Sequence, residues 1–179
     1  MMNMRPNASE YNPRYDRYIQ LVPEENICIA LAQQLHETVS FVHQVPEAIV
    51  DYRYAPGKWT TREVLGHILD TERILSFRLL SFARGDTTPL NRADEELYVK
   101  NGKFSRFPLL EWAEEYSLLR RSDIALVRHL PQEAWERTGT VSGLPISVRA
   151  VAYFMVGHER HHLQMIQNLY LCAAEAVGS

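Results

Sequence analysis

The sequence has little of several features that mark particular classes of protein. Lysine and arginine number 19 against 22 aspartates and glutamates, so no basic excess is available to neutralise phosphates, and nucleic acid is not an expected partner. No apolar run approaches the roughly 20 residues needed to cross a bilayer. The segment from Met1 to Pro6 lacks the apolar core of a signal peptide. We therefore expect a cytoplasmic protein without a membrane partner.

Cysteine is scarce as well. Cys28 and Cys172 fit reduced, buried thiols better than a disulfide framework, although a pairing between them stays open. The sequence also has no internal repeat, no low-complexity segment and no convincing long strand. Its 179 residues, 46% hydrophobic and 23% charged, are ordinary for one globular domain.

Apolar periodicity predicts four helices, and hence an all-α four-helix bundle. An irregular arm over residues 1–20 precedes them, and the turn-rich stretch 138–146 could form a small hairpin before the fourth helix. The connection from Gly85 to Phe107 is long enough for a crossover along the bundle. The first helix is predicted from Pro23 to Pro46, and the third from Pro108 to Pro131. The second begins at a capping box of Thr60 with Glu63 and runs to about Arg84, and the fourth begins at a Ser147 cap.

The fourth helix carries two histidines on its predicted buried side. The opposite side is polar, with Arg149, Arg160, Gln164 and Gln167, so the helix reads as amphipathic. Two imidazoles one turn apart present their nitrogens to the same point, and a divalent metal is the simplest partner for both. Two core histidines bonded to neighbouring helices would give the same pattern. The predicted seam consists of Val151, Met155, His158, His162, Met165 and Leu169.

A third imidazole can come from the second helix. His67 lies at the margin of that helix's apolar stripe, and with His158 and His162 it would leave a coordination position open, as catalytic metal sites do. Gly66 and Gly157 each precede a proposed ligand. Glycine inside a helix costs about 1 kcal/mol relative to alanine, so a close approach of another helix is one plausible compensation.

Several polar residues are candidates for supporting these ligands. Asp123 falls on the buried seam of the third helix near Arg120, which predicts an interhelical ion pair or an acceptor for a ligand histidine. His161 points to the flank of the fourth-helix seam. Candidate general bases are Asp70, Glu72 and Glu159, although the chain has no His-Glu-x-x-His motif.

Two stretches resemble signatures of the DinB/YfiT-like superfamily: residues 54–73, which contain Tyr-Ala-Pro-Gly-Lys-Trp-Thr and Gly-His-Ile-Leu-Asp, and Gly-His-Glu-Arg-His-His at 157–162. The resemblance implies a domain over 21–176 with up-down-down-up topology and a long crossover between helices two and three. It implies a divalent metal on His67, His158 and His162, and often a homodimer. Members with known activity are similar to S-transferases using bacillithiol or mycothiol, and to a thiol-dependent maleylpyruvate isomerase.

Three functions stay open on these grounds. The site could bind and deprotonate a low-molecular-weight thiol for attack on a small electrophile. It could instead activate water for hydrolysis. It could also be a metal or histidine cluster that only stabilises the bundle. Three imidazoles suit zinc, nickel, iron or copper, and we expect zinc or nickel.

Overall fold

The computed structural model describes residues 5–171, and most of that range is helical. The long helices and the small hairpin expected from the sequence are confirmed. The helices are α1 (Asp16–Ile19), α2 (Ile27–His43), α3 (Glu47–Val50), α4 (Thr61–Ala83), α5 (Glu95–Gly102), α6 (Leu109–Arg128) and α7 (Val148–Met165). Shorter 3-10 turns occupy Ala8–Glu10, Pro13–Tyr15, Phe104–Arg106 and Gln132–Glu136, a π-helical stretch covers Ile166–Leu171, and β1 (Thr138–Val141) pairs antiparallel with β2 (Leu144–Ser147).

Side-chain caps set the starts of the helices. The predicted capping box is present at α4, where Thr60 Oγ1 accepts from the Glu63 amide at 3.1 Å and Glu63 accepts from the Thr60 amide at 2.8 Å. The first long helix begins at Ile27 rather than at Pro23, because the Asn26 side chain accepts from the Cys28 amide and caps it there.

The contacts of α4 fix the directions of its two neighbours. Near the starts of both helices Trp112 Nε1 of α6 donates to the Leu65 carbonyl at 2.8 Å, and further along both Ser76 donates to Asp123, so α4 and α6 are parallel. Helix α7 is antiparallel to α4. The Tyr170 hydroxyl, beyond the end of α7, donates at 2.8 Å to the carbonyl of Trp59, which precedes α4.

Helix α2 runs parallel to α7. Tyr153 donates to the Glu24 carbonyl at 2.8 Å just before α2, and Arg160 donates to Gln34 at 2.7 Å further along it. Helices α2 and α7 therefore run one way and α4 and α6 the other, which confirms the up-down-down-up bundle. Helices α2 and α4 each pack against both α6 and α7.

The connection between the parallel helices α4 and α6 must return along the bundle, which explains its length. It contains α5 and touches the hairpin, where the Leu90 amide donates to the Thr140 carbonyl at 2.9 Å and the Ser142 amide donates to the Leu90 carbonyl at 2.8 Å. The predicted crossover is confirmed. Together with the hairpin it forms one wall over α4.

Helix α7 is not amphipathic along its first half, contrary to the sequence prediction. Every residue from Ala150 to Glu159 is buried, because the N-terminal segment covers the side that the bundle leaves open. Helix α1 packs on α7, and Glu10 accepts hydrogen bonds from Ser147 at 2.7 Å and from Arg149 at 2.9 Å. The residues from Ala150 to Gly157 are accordingly apolar or aromatic on every side of the helix.

The domain limits at residues 20 and 176 stay predictions, and Cys172 lies outside the described residues. None of the helices within residues 5–171 is long and apolar enough to cross a membrane.

Candidate metal centre

Three histidines from two antiparallel helices meet where the first turns of α4 pack against the last turns of α7. The Nε2 atom of His158 on α7 lies 3.1 Å from Nε2 of His67 on α4 and 3.1 Å from Nε2 of His162, one turn further along α7. One nitrogen from each ring lies within 4.8 Å of the other two, so the three could hold a single metal ion. These are the three residues that the sequence singled out, and we call them the histidine cluster.

Burial keeps the three rings neutral. Burial, and then the neighbouring rings of His162 and His67, hold the pKa of His158 well below its ordinary value. Burial lowers the pKa of His162 to about 2. Burial also lowers the pKa of His67, although Glu95 and Glu96 act in the opposite direction. A neutral imidazole has a free lone pair on one nitrogen, which is the form that binds a metal.

The hydrogen bonding of the cluster is incomplete without a cation. His158 Nε2 faces two other Nε2 atoms, and three neutral rings that meet through these atoms cannot each find a complementary partner. A shared cation would accept all three lone pairs and place the proton of each ring on Nδ1. His162 Nδ1 is buried and has no partner among the described residues. The donor set therefore fits a divalent transition metal.

Aromatic side chains surround the cluster and limit the freedom of the rings. Trp59 lies 5.0 Å from His67 between ring centroids, and Tyr18 and Phe154 each lie 5.5 Å from His158. His161, one of the expected supporting residues, is half-buried, with its ring 5.2 Å from those of Tyr18 and His162. It lies at the flank of the cluster, as its position on the helix predicted.

The glycines beside the ligands make room for close neighbours. A Cβ atom on Gly157 would overlap the backbone carbonyl of Tyr18, and one on Gly66 would overlap the ring of Phe104. The predicted close approach is confirmed at both positions. The neighbours are α1 and the turn that follows α5, so these glycines seat the covering segments rather than a second bundle helix.

The expected supporting carboxylates lie in two different places. Asp70 lies in the cleft beside His67, 3.9 Å from Arg73 in an i, i+3 ion pair, and burial raises the pKa of its carboxyl. Glu159 follows His158 in the chain but faces the other side of α7. It accepts from Tyr116 at 2.6 Å, from Thr38 and from Arg120.

Asp123 belongs to the same buried group as Glu159. It accepts a hydrogen bond from Ser76. The sequence positions had suggested an ion pair between Arg120 and Asp123, but Arg120 pairs with Glu72 and Glu159 instead. We call Glu72, Arg120, Asp123 and Glu159 the charge network. Glu72 as an arginine partner was missed, although it continues the buried stripe of α4 one turn after Ile68.

A cleft of about 220 Å³ opens beside the histidine cluster and has His67 and His158 in its lining. Its walls are α4, α7, the N-terminal segment, the crossover and the hairpin. This cleft could not be predicted from the sequence, because the segments that meet there are far apart in the chain. Besides the two histidines, its polar lining includes Arg14, Arg17, Asp70, Arg78, Arg92 and Glu95.

Comparison with known proteins identifies the fold and a family. Residues 30–166 match the family model of the DinB superfamily. Searching curated protein sequences gave no match. Among solved structures, the chain is similar to YfiT from Bacillus subtilis, described as a probable metal-dependent hydrolase with an unusual four-helix bundle topology. The TM-score is 0.74 at 19% identity, with 96% of this chain and 94% of YfiT covered.

Two further solved structures share the fold at low identity. One is a mycothiol-dependent maleylpyruvate isomerase, with a TM-score of 0.64 and 11% identity over 85% of this chain and 62% of the isomerase. The other is the DinB-like protein YjoA from Bacillus subtilis, with a TM-score of 0.55 and 18% identity over 84% of this chain and 90% of YjoA. Identities this low establish a shared fold.

Proposed function

Because this chain belongs to the DinB superfamily and brings two buried histidines and one half-buried histidine, all neutral, together beside an open cleft, we propose that it is a metal-dependent enzyme that activates a small thiol. His67, His158 and His162 would hold the ion, which we expect to be zinc or nickel. The reaction would transfer the thiol to an electrophile. The observation that carries the proposal is a three-nitrogen donor set with access from the cleft, which matches catalytic rather than closed structural sites.

The chemistry that a bound divalent metal supplies is a low pKa for a coordinated thiol, which stays a thiolate near neutral pH. The residues of this chain supply the rest. His67 and His158 line the cleft, so a small molecule bound there would lie beside the histidine cluster. Tyr18 and Phe154 pack against His158 and also line the cleft, so they reduce the number of water molecules around that ring. The charge of the incoming sulfur would then be stabilised in a largely dry site.

A nucleophile from outside the protein is needed because the cleft is not lined by a cysteine within the described residues. Cys28 lies on α2 away from the cleft, and burial raises the pKa of its thiol. A raised pKa leaves less thiolate at neutral pH. The description of one structural neighbour as mycothiol-dependent agrees with a small-thiol substrate.

Hydrolysis is the second candidate, and Asp70 is the observation that favours it. This carboxylate lies in the cleft beside His67, and its raised pKa brings it closer to that of a general base acting on water. The description of YfiT as a probable metal-dependent hydrolase points the same way. An Asp70→Asn variant that loses ester hydrolysis while still binding thiols would favour hydrolysis over thiol transfer.

Elemental analysis of purified protein tests the ligand set. We expect about one equivalent of metal in the wild type and almost none in His67→Ala, His158→Ala and His162→Ala. His36→Ala, an exposed histidine on α2, is the matched control and should keep its metal. Unchanged metal content in any one triad variant would remove that histidine from the ligand set.

Thiol titration of the cobalt-substituted protein tests the activity. Coordination of sulfur should produce a new thiolate-to-cobalt absorption band, and a panel of electrophiles should then show conjugation. A protein that gains thermal stability from metal but shows neither the band nor any conjugation would have a structural site. Size-exclusion chromatography with light scattering would test the further proposal that the protein is a homodimer.

A further inference from the structure

The cleft beside the histidine cluster has an excess of positive charge in a protein whose net charge is −3. The lining holds four arginines but only two carboxylates, Asp70 and Glu95. Since the two lining histidines are neutral, two positive charges in the cleft are unbalanced. A cleft of one charge sign concentrates small ions of the opposite sign. The charge pattern therefore points to an anionic ligand.

Most of these arginines have no acidic partner. Arg92 pairs with Glu95 at 2.8 Å, but no carboxylate of the described residues lies within 4.0 Å of the guanidinium groups of Arg14, Arg17 or Arg78. Arg17 instead lies over the ring of Tyr18, with 4.5 Å between its guanidinium carbon and the ring centroid. An arginine without a carboxylate partner keeps most of its donors for a ligand.

Arg78 is the most constrained of the three. It is half-buried, and burial lowers the pKa of its guanidinium, while Tyr15 and Tyr98 act in the opposite direction. Its Nη2 donates to the Asn91 carbonyl at 3.0 Å, which fixes the side chain against the crossover. A positioned, partly desolvated arginine is well suited to a carboxylate or a phosphate, because its planar fork matches two oxygens.

The position of Arg78 relates this charge to the metal centre. His67, Asp70, Ile74 and Arg78 follow one another along the cleft side of α4. At a rise of 1.5 Å per residue, Arg78 lies about 16 Å along the helix from His67. The arginine side chain shortens that distance. A ligand with its reactive end at the histidines and an anionic group several bonds away would span the cleft.

From these observations we propose that the cleft binds the oxyanion group of its ligand, a carboxylate or a phosphate, and that Arg78 is the residue that anchors it. Arg17 and Arg92 add positive charge along the same walls. The inference deepens the proposed function by restricting the small molecule to an acidic one, and its experiment does not need catalysis.

Calorimetric titration of the metal-free protein with glutarate and, separately, with inorganic phosphate tests the anchor. Binding of either probe supports the proposal, and the tighter of the two identifies the preferred oxyanion. Arg78→Gln should weaken binding by roughly tenfold or more, as expected for a lost charge-assisted hydrogen bond. Arg92→Gln, at an exposed position, should weaken binding of the probe less than Arg78→Gln does. It provides a second test of the cleft if Arg78→Gln does not fold. Arg121→Gln, an exposed arginine outside the cleft with the same charge change, is the matched control.

The proposal is overturned if neither probe binds at millimolar concentration, or if Arg121→Gln weakens binding as much as the cleft variants do. A second titration separates it from the proposed function. In the cobalt-substituted protein, 6-mercaptohexanoate should bind more tightly than the uncharged 6-mercaptohexanol, and only its binding should depend on Arg78. If the binding of both thiols depended equally on Arg78, or if neither did, the role of Arg78 would be contradicted and the proposed thiol activation would not be affected. If glutarate binding depended on Arg78 but no thiol coordinated the cobalt, the oxyanion site would be supported and the proposed function would be overturned.

Discussion

Consecutive residues of α7 belong to two buried polar groups of opposite character. His158 faces the histidine cluster, in which the rings are neutral and at least one buried nitrogen has no partner. Glu159 faces the charge network, in which its oxygens accept from Thr38, Tyr116 and Arg120. The carboxylates of the network bind a buried cation and hydroxyl groups of the protein itself, although Arg120 Nη1 and Asp123 Oδ2 have no partner among the described residues, whereas the three Nε2 atoms of the cluster face only one another.

This difference separates a structural group from a ligand-binding one. A buried ion pair surrounded by its own partners has no need of a ligand and no route to solvent. The histidine cluster adjoins an open cleft, and its three Nε2 atoms face one another rather than groups of complementary character. Breaking the network should therefore reduce stability, and breaking the cluster should reduce metal binding. Four predictions test that division.

The largest effect is expected from removing Arg120, which is fully buried between Glu72 and Glu159. Arg120→Met leaves two buried carboxylates without their cation. We expect a loss of about 3–5 kcal/mol in the free energy of unfolding, measured by urea denaturation of the metal-free protein. Arg121→Met, on an exposed neighbour, should change it by no more than about 0.5 kcal/mol. Equal losses in the two variants would show that the network does not stabilise the bundle.

The second effect is a pH dependence of stability that arises from Asp123. Burial first, and then Glu72, raise the pKa of its carboxyl to about 7, while Ser76 and Arg120 act in the opposite direction. The folded state therefore binds this proton more tightly than the unfolded chain, where the pKa is about 3.9. The stabilisation is complete below the unfolded pKa and is lost as pH rises through the folded pKa.

Asp123→Asn keeps the shape of the protonated side chain and cannot titrate. The wild type should lose about 2–3 kcal/mol relative to this variant between pH 5 and pH 8, measured as the difference between their unfolding free energies. Subtracting the two curves cancels the contributions of the histidines and other groups that both proteins share. A constant difference over this range would mean that Asp123 is ionised throughout.

The third effect concerns the segment that covers α7. Gly157→Ala favours the helix, but its Cβ would overlap the Tyr18 backbone, and overpacking of this kind costs about 1–3 kcal/mol. We expect lower stability and faster proteolysis of the N-terminal segment. In Gly66→Ala the obstacle is the Phe104 side chain, which can rotate, so a smaller loss is expected. A stabilised Gly157→Ala would show that α1 does not sit firmly on the helix.

Sequence periodicity predicted the four helices and the three histidines because both are local patterns on single helices. The spacing of His158 and His162 puts them on one buried side, and His67 lies at the margin of the apolar stripe of its helix. The resemblance to a known family implies the same three residues as ligands. The family resemblance also gave the direction of the helices, which contacts such as Trp112 with Leu65 confirm. Local signals thus determined most of the bundle and the composition of the cluster.

What the sequence did not reveal depends on contacts between distant segments. The burial of α7 on all sides comes from residues near Tyr18, more than a hundred positions away. The pairing of Arg120 with Glu72 and Glu159, rather than with Asp123, depends on how three helices rotate against one another. Arg78 gives no signal in the chain, because its role depends on the crossover that folds over α4.

The smallest effect distinguishes two adjacent histidines of α7. His162 contributes Nε2 to the cluster, whereas His161 is half-buried at its flank, so His161→Gln should retain metal and change the unfolding free energy by no more than about 0.5 kcal/mol. His162→Gln should lose the metal. Elemental analysis and thermal unfolding with and without added zinc measure both. If His161→Gln loses metal as His162→Gln does, then the flanking ring belongs to the site, and the boundary between cluster and surroundings lies further out.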